Sequence, residues 1–383
     1  MTSILEAHSS YLRYPKRMRR GNDAKLRHDG EAGLSAMLHA IRNAKTSVLM
    51  EFYIFQDDAT GQVFADALIA KARSGVLVHV MVDAWGNMDV DTRFYESLTA
   101  GGVIVSKYRP IRIWNAFRGP GRRNHRKVLV VDYRLGFVGG LNISDKYAPV
   151  GQGGEGWRDT LIEIQGPVVN DLIRLMLNSF SQVHPTGPVL ERPPSPPLVS
   201  GAMCAALLTN SERGQRHRIR KSYLKAIHAA RETIIIANAY FLPGLKVRRA
   251  LARAVRRGVR VRILLPRDSD IPVVAWASRF LFAGLMRRGI ELYEWSESML
   301  HAKVAVVDSV WSTVGSYNLD QRSLRSNLEA NVVLLDEQFG AQLHADLCAD
   351  LDRSERILPT DWSRRSLVER LRAWFFYQFR SFM

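Results

Sequence analysis

The chain has 383 residues, 46% of them hydrophobic, enough to bury the core of two domains or of one large duplicated one. Its two cysteines, Cys204 and Cys348, exclude a disulfide framework and a cysteine zinc site, and suit a reducing compartment. A net charge of +17 and a pI near 10.2 call for an anionic partner, nucleic acid or an acidic membrane surface, unless they reflect only solubility or a basic proteome.

The opening stretch, MTSILEAHSSYLRYPKRMRR, has no apolar run followed by a small-residue cleavage site, so no signal peptide is expected. Nowhere do about 18 apolar residues follow one another, so no transmembrane helix is expected either. In MLHAIRNAKTSVLMEFYIF (37–55) an amphipathic helix end gives way, through a charged turn, to an apolar strand closing on aromatics. FADALIAKARSGVLVHVMVD (64–83) repeats the pattern with Gly75 ending the helix, and LTAGGVIV (98–105) adds a helix end, glycine and strand. An insertion rich in arginine and aromatics, YRPIRIWNAFRGPGRRN (108–124), suits an acidic head-group region, although it could equally grip a nucleic-acid backbone with its aromatics stacked on bases.

The same order then returns. YLKAIHAARETIIIANAYFL (223–242) matches 37–55, VRRALARAVRRGVRVRILLP (247–266) matches 64–83 with Gly258 in place of Gly75, and LMRRGIEL (285–292) matches 98–105. Between the copies, HPTGPVLERPPSPPLVSG (184–201) holds six of the fifteen prolines and reads as a linker. Helix–strand–helix–strand twice over predicts an α/β sandwich of two similar halves, 21–183 and 202–350, followed by an amphipathic C-terminal segment, 351–383.

Each copy carries the same constellation. NHRKVLVVDYRLGFVGGLN (124–142) places His125, Lys127, Asp132, Gly139, Gly140 and Asn142 at the spacings at which LHAKVAVVDSVWSTVGSYN (300–318) places His301, Lys303, Asp308, Gly315, Ser316 and Asn318. One HxKxxxxD is an easy accident; two at equivalent places in a repeat are not. The chain resembles the phospholipase D superfamily, whose signature is this motif once per half. Within the superfamily it is most like the bacterial cardiolipin synthases, through NHRKVLVVD, GWRDTLIEIQGP (156–167) and GSYNLDQRSLRSNLEANV (315–332), with the likeness running over about 21–350. That resemblance implies a pseudo-twofold pair of halves with one active site at their interface.

Alternation along a strand turns His125 and Lys127 to one side, and His301 and Lys303 likewise. Asp132 and Asp308 complete the signature and stand with the candidate catalytic set. Their odd offset from the histidines, however, favours turn or strand-end anchors. A nucleophilic histidine needs an acceptor on its other ring nitrogen. The candidates are Asp159 in GWRDT and Glu329 in NLEAN, each at the start of an apolar strand that would return it beside its hairpin, and the resemblance gives downstream acids that role. One imidazole would attack a phosphodiester phosphorus and the other would shuttle the proton. Lys127, Lys303, Asn142 and Asn318, with Ser316 as a further phosphate ligand, would meet the charge on the non-bridging oxygens, and no metal or other cofactor is expected. By family analogy His125 is the nucleophile and His301 the acid and base.

Asp145, Asp320 and Arg322 read either as head-group ligands or as helix caps. His8, His28, His39, His79, His184, His217, His228 and His344 read as surface or packing residues. The apolar segment IPVVAWASRFLFAGLMRRG (271–289) fits a buried helix or one dipping into an interface, and SLVERLRAWFFYQFRSFM (366–383) mixes aromatics with arginines as an interfacial helix does. The expectation is a phosphatidyltransferase acting on anionic phospholipids, peripheral on the cytoplasmic side of the cell (inner) membrane, with no nucleic-acid partner. The competing readings are a phosphodiesterase or nuclease of the same superfamily and a non-enzymatic basic binding module.

Overall fold

The computed structural model describes residues 4–110, 121–183, 201–210 and 217–383. Most of the proline-rich stretch, His184 included, and positions 111–120 of the arginine-rich insertion lie outside the described residues. Two compact units emerge. The N-terminal unit comprises Arg19–Leu207 together with four residues from far along the chain, Asn327–Ala330. The C-terminal unit comprises the segment ending at Met18, Leu208–Ser326 and Asn331–Met383, so residues 351–383 group with it.

In the N-terminal unit the strands are β1 (Arg19–Arg27), β2 (Ser47–Phe52), β3 (Leu77–Asp83), β4 (Ile104–Tyr108), β5 (Lys127–Val131), β6 (Leu135–Gly139), β7 (Leu161–Gln165) and all but the last two residues of β8 (Met203–Thr209). They are ordered β8-β1-β7-β6-β5-β2-β3-β4, with β2, β3 and β4 parallel and the neighbouring pairs antiparallel. The C-terminal unit holds β9 (Thr233–Asn238), β10 (Arg260–Pro266), β11 (Glu291–Trp295), β12 (Lys303–Val307), β13 (Trp311–Gly315), β14 (Ala330–Leu335) and β15 (Glu355–Arg356). Its order, β15-β11-β10-β9-β12-β13-β14, repeats the other sheet strand for strand from β4 to β7 and adds an edge strand. The internal repeat of the sequence is therefore a repeat of topology. Every residue of β2, β5, β12, β13 and β14 is buried, the signature of strands covered on both faces by helices.

Gly75 and Gly258 end their helices at φ +87° and +91°, a conformation that a side chain would strain. The hairpins β5–β6 and β12–β13 close through three-residue connections, 132–134 and 308–310, whose first two residues are left-handed: Asp132 and Tyr133 (φ 49° and 55°), Asp308 and Ser309 (φ 50° and 53°). Lys127 stands opposite Phe52 and Lys303 opposite Asn238, the last residues of β2 and β9. Each motif thus sits at the carboxyl ends of the parallel strands, where ligands bind in open α/β sheets.

Candidate active site

In the N-terminal unit the chain reaching β5 is clamped on both sides of His125. The Asn124 amide donates to Asp83 Oδ2 at 2.8 Å, and the Asn124 side chain to Glu51 Oε1 at 2.6 Å. The buried Arg126 guanidinium donates to the same Glu51 oxygen at 2.9 Å and to Ser179 Oγ at 2.8 Å. His125 itself is buried, with its Nδ1 3.1 and 3.2 Å from the two carboxylate oxygens of Glu329. A proton on Nδ1 donated to that carboxylate leaves Nε2 as the unprotonated nitrogen of the ring. The ring of Tyr53 meets the imidazole edge-on at 4.9 Å between centroids. Lys127 Nζ donates to the His125 carbonyl at 2.8 Å and lies 5.0 Å from the centre of the Tyr53 ring.

Glu329 departs from expectation. It does not simply return to its own hairpin but faces the histidine of the other copy. The reason is local: Asn124 and Leu328 form a parallel bridge, with His125 N–H donating to Leu328 O at 3.0 Å and Leu328 N–H to Arg123 O at 2.8 Å. That bridge draws residues 327–330 into the N-terminal unit before β14 begins. Asp159 is fully buried; its Oδ1 accepts the Thr160 N–H at 2.7 Å, and its carboxylate fills the space where a side chain at Gly140 would stand.

In the C-terminal unit His301 and Lys303 are buried together. Lys303 Nζ is 2.7 Å from His301 Nδ1 and also donates to the His301 carbonyl. The Tyr240 ring approaches His301 edge-on at 6.1 Å, and its hydroxyl donates to Asp270 at 2.7 Å.

The motif aspartates do other work. Asp132 sits at the opposite end of β5 from His125. Its Oδ1 accepts the amides of Thr46 (2.7 Å), Lys45 (2.9 Å) and Ser47 (3.1 Å) and the Thr46 hydroxyl (3.0 Å). Burial opposes ionisation there, but these donors outweigh it and hold the carboxyl below its ordinary value. Asp308 does the same for Arg231, Glu232 and Thr233, whose amides lie 2.8, 2.9 and 2.8 Å away, and it also accepts the Tyr11 hydroxyl at 2.7 Å. Both are anchors that tie the hairpin turn to the start of the neighbouring strand, as their odd offset from the histidines favours, so their place in the candidate catalytic set is corrected.

The asparagines differ between copies. Asn142 Oδ1 accepts the Ile54 amide at 3.2 Å and its Nδ2 donates to Tyr147 OH at 2.9 Å, so structural contacts occupy both ends of an amide expected to meet phosphate. Asn318 Oδ1 is buried with no hydrogen-bond partner among the described residues, and Ser316 is fully buried. Asp145 accepts the amides of Ala59 (3.2 Å) and Thr60 (2.8 Å), and Asp320 caps the helix Gln321–Arg325 through the Ser323 amide at 2.6 Å, which favours the capping reading of both. Among the described histidines, His79 stacks on Phe180 at 3.7 Å and His8 lies 2.9 Å from Glu337. No three His, Cys, Asp or Glu side chains gather as a metal ion would require among the described residues.

A duplicated sheet that presents a buried His/Lys pair at the carboxyl ends of its parallel strands in each copy defines the phospholipase D-like class. The chain belongs to it: the family described as "Cardiolipin synthase, PLD-like domain" matches residues 37–183 and 223–351. Cardiolipin synthase B of Escherichia coli (strain K12) is 34% identical over 358 residues, 89% of this chain and 84% of that one. Cardiolipin synthase A of Pseudomonas putida (strain W619) is 34% identical over 351 residues, 91% of this chain and 73% of that one. The crystal structure of phosphatidylserine synthase from Haemophilus influenzae Rd KW20 shares the fold at a TM-score of 0.72 and 13% identity, covering 94% of this chain and 95% of that one. Polyphosphate kinase from Porphyromonas gingivalis shares it at 0.59 and 15% identity, covering 88% and 49%.

The sequence reading missed the Glu51–Asn124–Arg126 set. Its signal was available, since a glutamate inside the apolar run SVLMEF has to meet a partner if that strand is buried.

Proposed function

We propose that the protein is a phosphatidyltransferase of cardiolipin synthase type, working on anionic phospholipid at the cytoplasmic face of a membrane. The observation that carries this reading is the kinship, at 34% identity across 89% of the chain, with a protein named cardiolipin synthase B, in a chain that keeps both His/Lys pairs intact. No helix among the described residues is long and apolar enough to cross a membrane, which is compatible with a peripheral position.

In this reading His125 Nε2 attacks the phosphorus of one phosphatidylglycerol. An N–P bond forms, the P–O bond to glycerol breaks, and His301 gives its proton to the departing glycerol oxygen. His301 then takes the proton of a glycerol hydroxyl on a second phosphatidylglycerol. That oxygen attacks phosphorus, the N–P bond breaks, and cardiolipin leaves with His125 restored. Glu329 supports the assignment of His125, because it fixes the Nδ1 proton and steadies the imidazolium-like ring of the phosphohistidine. Asp159 is proposed as the second positioning acid. Lys127 and Lys303 meet the charge that builds on the non-bridging oxygens.

The test uses the purified full chain on phosphatidylglycerol vesicles. Cardiolipin and free glycerol in equal amounts are expected. Phosphatidic acid as the only lipid product would mean a hydrolase, and cleavage of single-stranded DNA with lipid untouched would mean a nuclease. Glu329→Gln should lower kcat by about 10²–10⁴-fold with the fold retained, as loss of a histidine-orienting carboxylate does elsewhere. A labelled phosphoenzyme that still forms in His125→Ala would move the nucleophile to His301.

A further inference from the structure

The C-terminal unit holds a second feature, none of whose lining residues belongs to either motif. The helix Leu367–Gln378 lies on the helix Pro272–Met286, with Tyr377 stacked on Phe280 at 4.4 Å and the Arg372 guanidinium 4.2 Å from the centre of the Trp276 ring. Only Ala373 of the C-terminal helix is buried. With the helix Leu245–Arg256 the two enclose a cleft of about 680 Å³, a volume suited to a lipid head group and the first part of its chains.

The cleft's lining has an unusual composition. Six arginines face it: Arg248, Arg249, Arg287, Arg288, Arg365 and Arg370, and none of them makes an ion pair among the described residues. Among the described residues Arg248 Nε and Arg365 Nη1 are buried with no hydrogen-bond partner, although Arg248 donates through its Nη2 to Tyr377 OH at 3.4 Å and Arg365 through its Nε to Trp362 O at 3.1 Å. The nearby acid, Glu369, is engaged in capping its own helix, where it accepts the Ser366 amide at 3.0 Å. Burial pulls the Arg365 guanidinium below its ordinary value; Glu369 works against that, and Arg279 and Arg370 add to it. Six guanidinium groups set against the two acids that act on Arg365, Glu369 and Glu294, leave an excess of like charge, a standing electrostatic cost that an anion reduces. Beside them Leu367, Leu371 and Trp374 stand 67%, 54% and 51% exposed, an apolar strip that water solvates poorly.

We propose that this cleft binds one anionic phospholipid, with its phosphate among Arg248, Arg365 and Arg370 and its acyl chains along Leu367, Leu371 and Trp374. The site seats the C-terminal unit on the membrane and is not the place of reaction. It goes beyond the proposed transferase activity, and its occupancy is read without turnover. A guanidinium fork matches two phosphate oxygens, and the adjoining strip gives the chains somewhere to lie, which a soluble phosphate would not use.

The test is sedimentation of the full-length protein with mixed phosphatidylcholine–phosphatidylglycerol vesicles. Arg248→Gln/Arg370→Gln should weaken binding about 25-fold, at roughly five-fold for each charge removed near an anionic surface. Arg248→Lys/Arg370→Lys, which keeps the charge but not the fork, should recover part of it, and this pair guards against a variant that merely misfolds. Brominated acyl chains should quench a component of the fluorescence that is lost in Trp374→Phe. Turnover of a dispersed short-chain phosphatidylglycerol should be unchanged in the Gln variant, and His125→Ala should bind vesicles normally whether or not the chain makes cardiolipin. Unchanged vesicle binding in the Gln variant would overturn the proposal. So would displacement by glycerol phosphate, which would mark a soluble-phosphate site, or by a single-stranded oligonucleotide, which would mark a nucleic-acid site.

Discussion

Asp132 and Asp308 show how a signature residue can serve the fold alone. Each occupies a left-handed turn position, a place where aspartate is tolerated better than most residues, and spends its carboxylate on three backbone amides of the adjoining loop. The folded-state value of the Asp132 carboxyl is depressed, so its stabilising contribution is complete above the unfolded value of about 3.9 and fades as pH falls through the lower folded one. Asp132→Asn should therefore cost about 1 kcal/mol near neutrality, once solvent screening of this partly exposed group is discounted. The gap between the urea midpoints of variant and parent should narrow as pH falls below about 3.9, and a gap that stays constant on acidification would contradict the anchoring role. The seven-residue offset from histidine to aspartate made this legible in the sequence, since an unbroken strand turns the two to opposite faces. The left-handed turn was not legible, because Asp-Tyr and Asp-Ser are not the Asn-Gly or Asp-Gly pairs that announce it. Nor was the partner of Glu329, for which spacing along the chain is no guide.

At the level of the element, the two copies differ in a coordinated way. Register aligns Glu51 with Ala237 and the motif aligns Asn124 and Arg126 with Leu300 and Ala302, so a buried polar set in one copy is an apolar set in the other. All six residues are almost wholly enclosed. Strand pairing and hydrophobic patterning alone would accept either set, which is why the succession of helices and strands could be read from the repeat while this substitution was not. Removing only the acid strands a charged guanidinium in the core, so Glu51→Ala should destabilise by about 3–5 kcal/mol. Glu51→Ala/Asn124→Leu/Arg126→Ala, which copies the second half, should regain much of that loss in urea denaturation. A triple variant no more stable than the single one would show that the three residues are not one closed set. The polar version stiffens the backbone on either side of His125, so the triple variant isolates what that stiffening gives to turnover.

Across the whole molecule, the surplus of 54 basic over 37 acidic residues is the feature that composition announced first and that an anionic surface would exploit. Encounter with phosphatidylglycerol vesicles should be salt-sensitive. Raising ionic strength from about 0.01 M to about 1 M shortens the screening length from about 30 Å to about 3 Å, and apparent KM on vesicles should rise more than ten-fold with kcat little changed. A KM indifferent to salt would remove charge from the account of membrane binding. The duplication was readable because each half repeats a complete layer of strands and helices, whereas the allegiance of the chain's ends was not. Tyr11 reaches Asp308, 297 positions on, and burial with that carboxylate pushes its hydroxyl up, a contact no local pattern encodes. The four residues Asn327–Ala330 carry the same lesson into the handling of the gene. The border drawn by duplication and the border drawn by contacts are different lines. A fragment that stops in the proline-rich stretch inherits His125 but not the carboxylate bonded to it. Severed halves would have to be supplied together, as complementing pieces, to rebuild even the first of them.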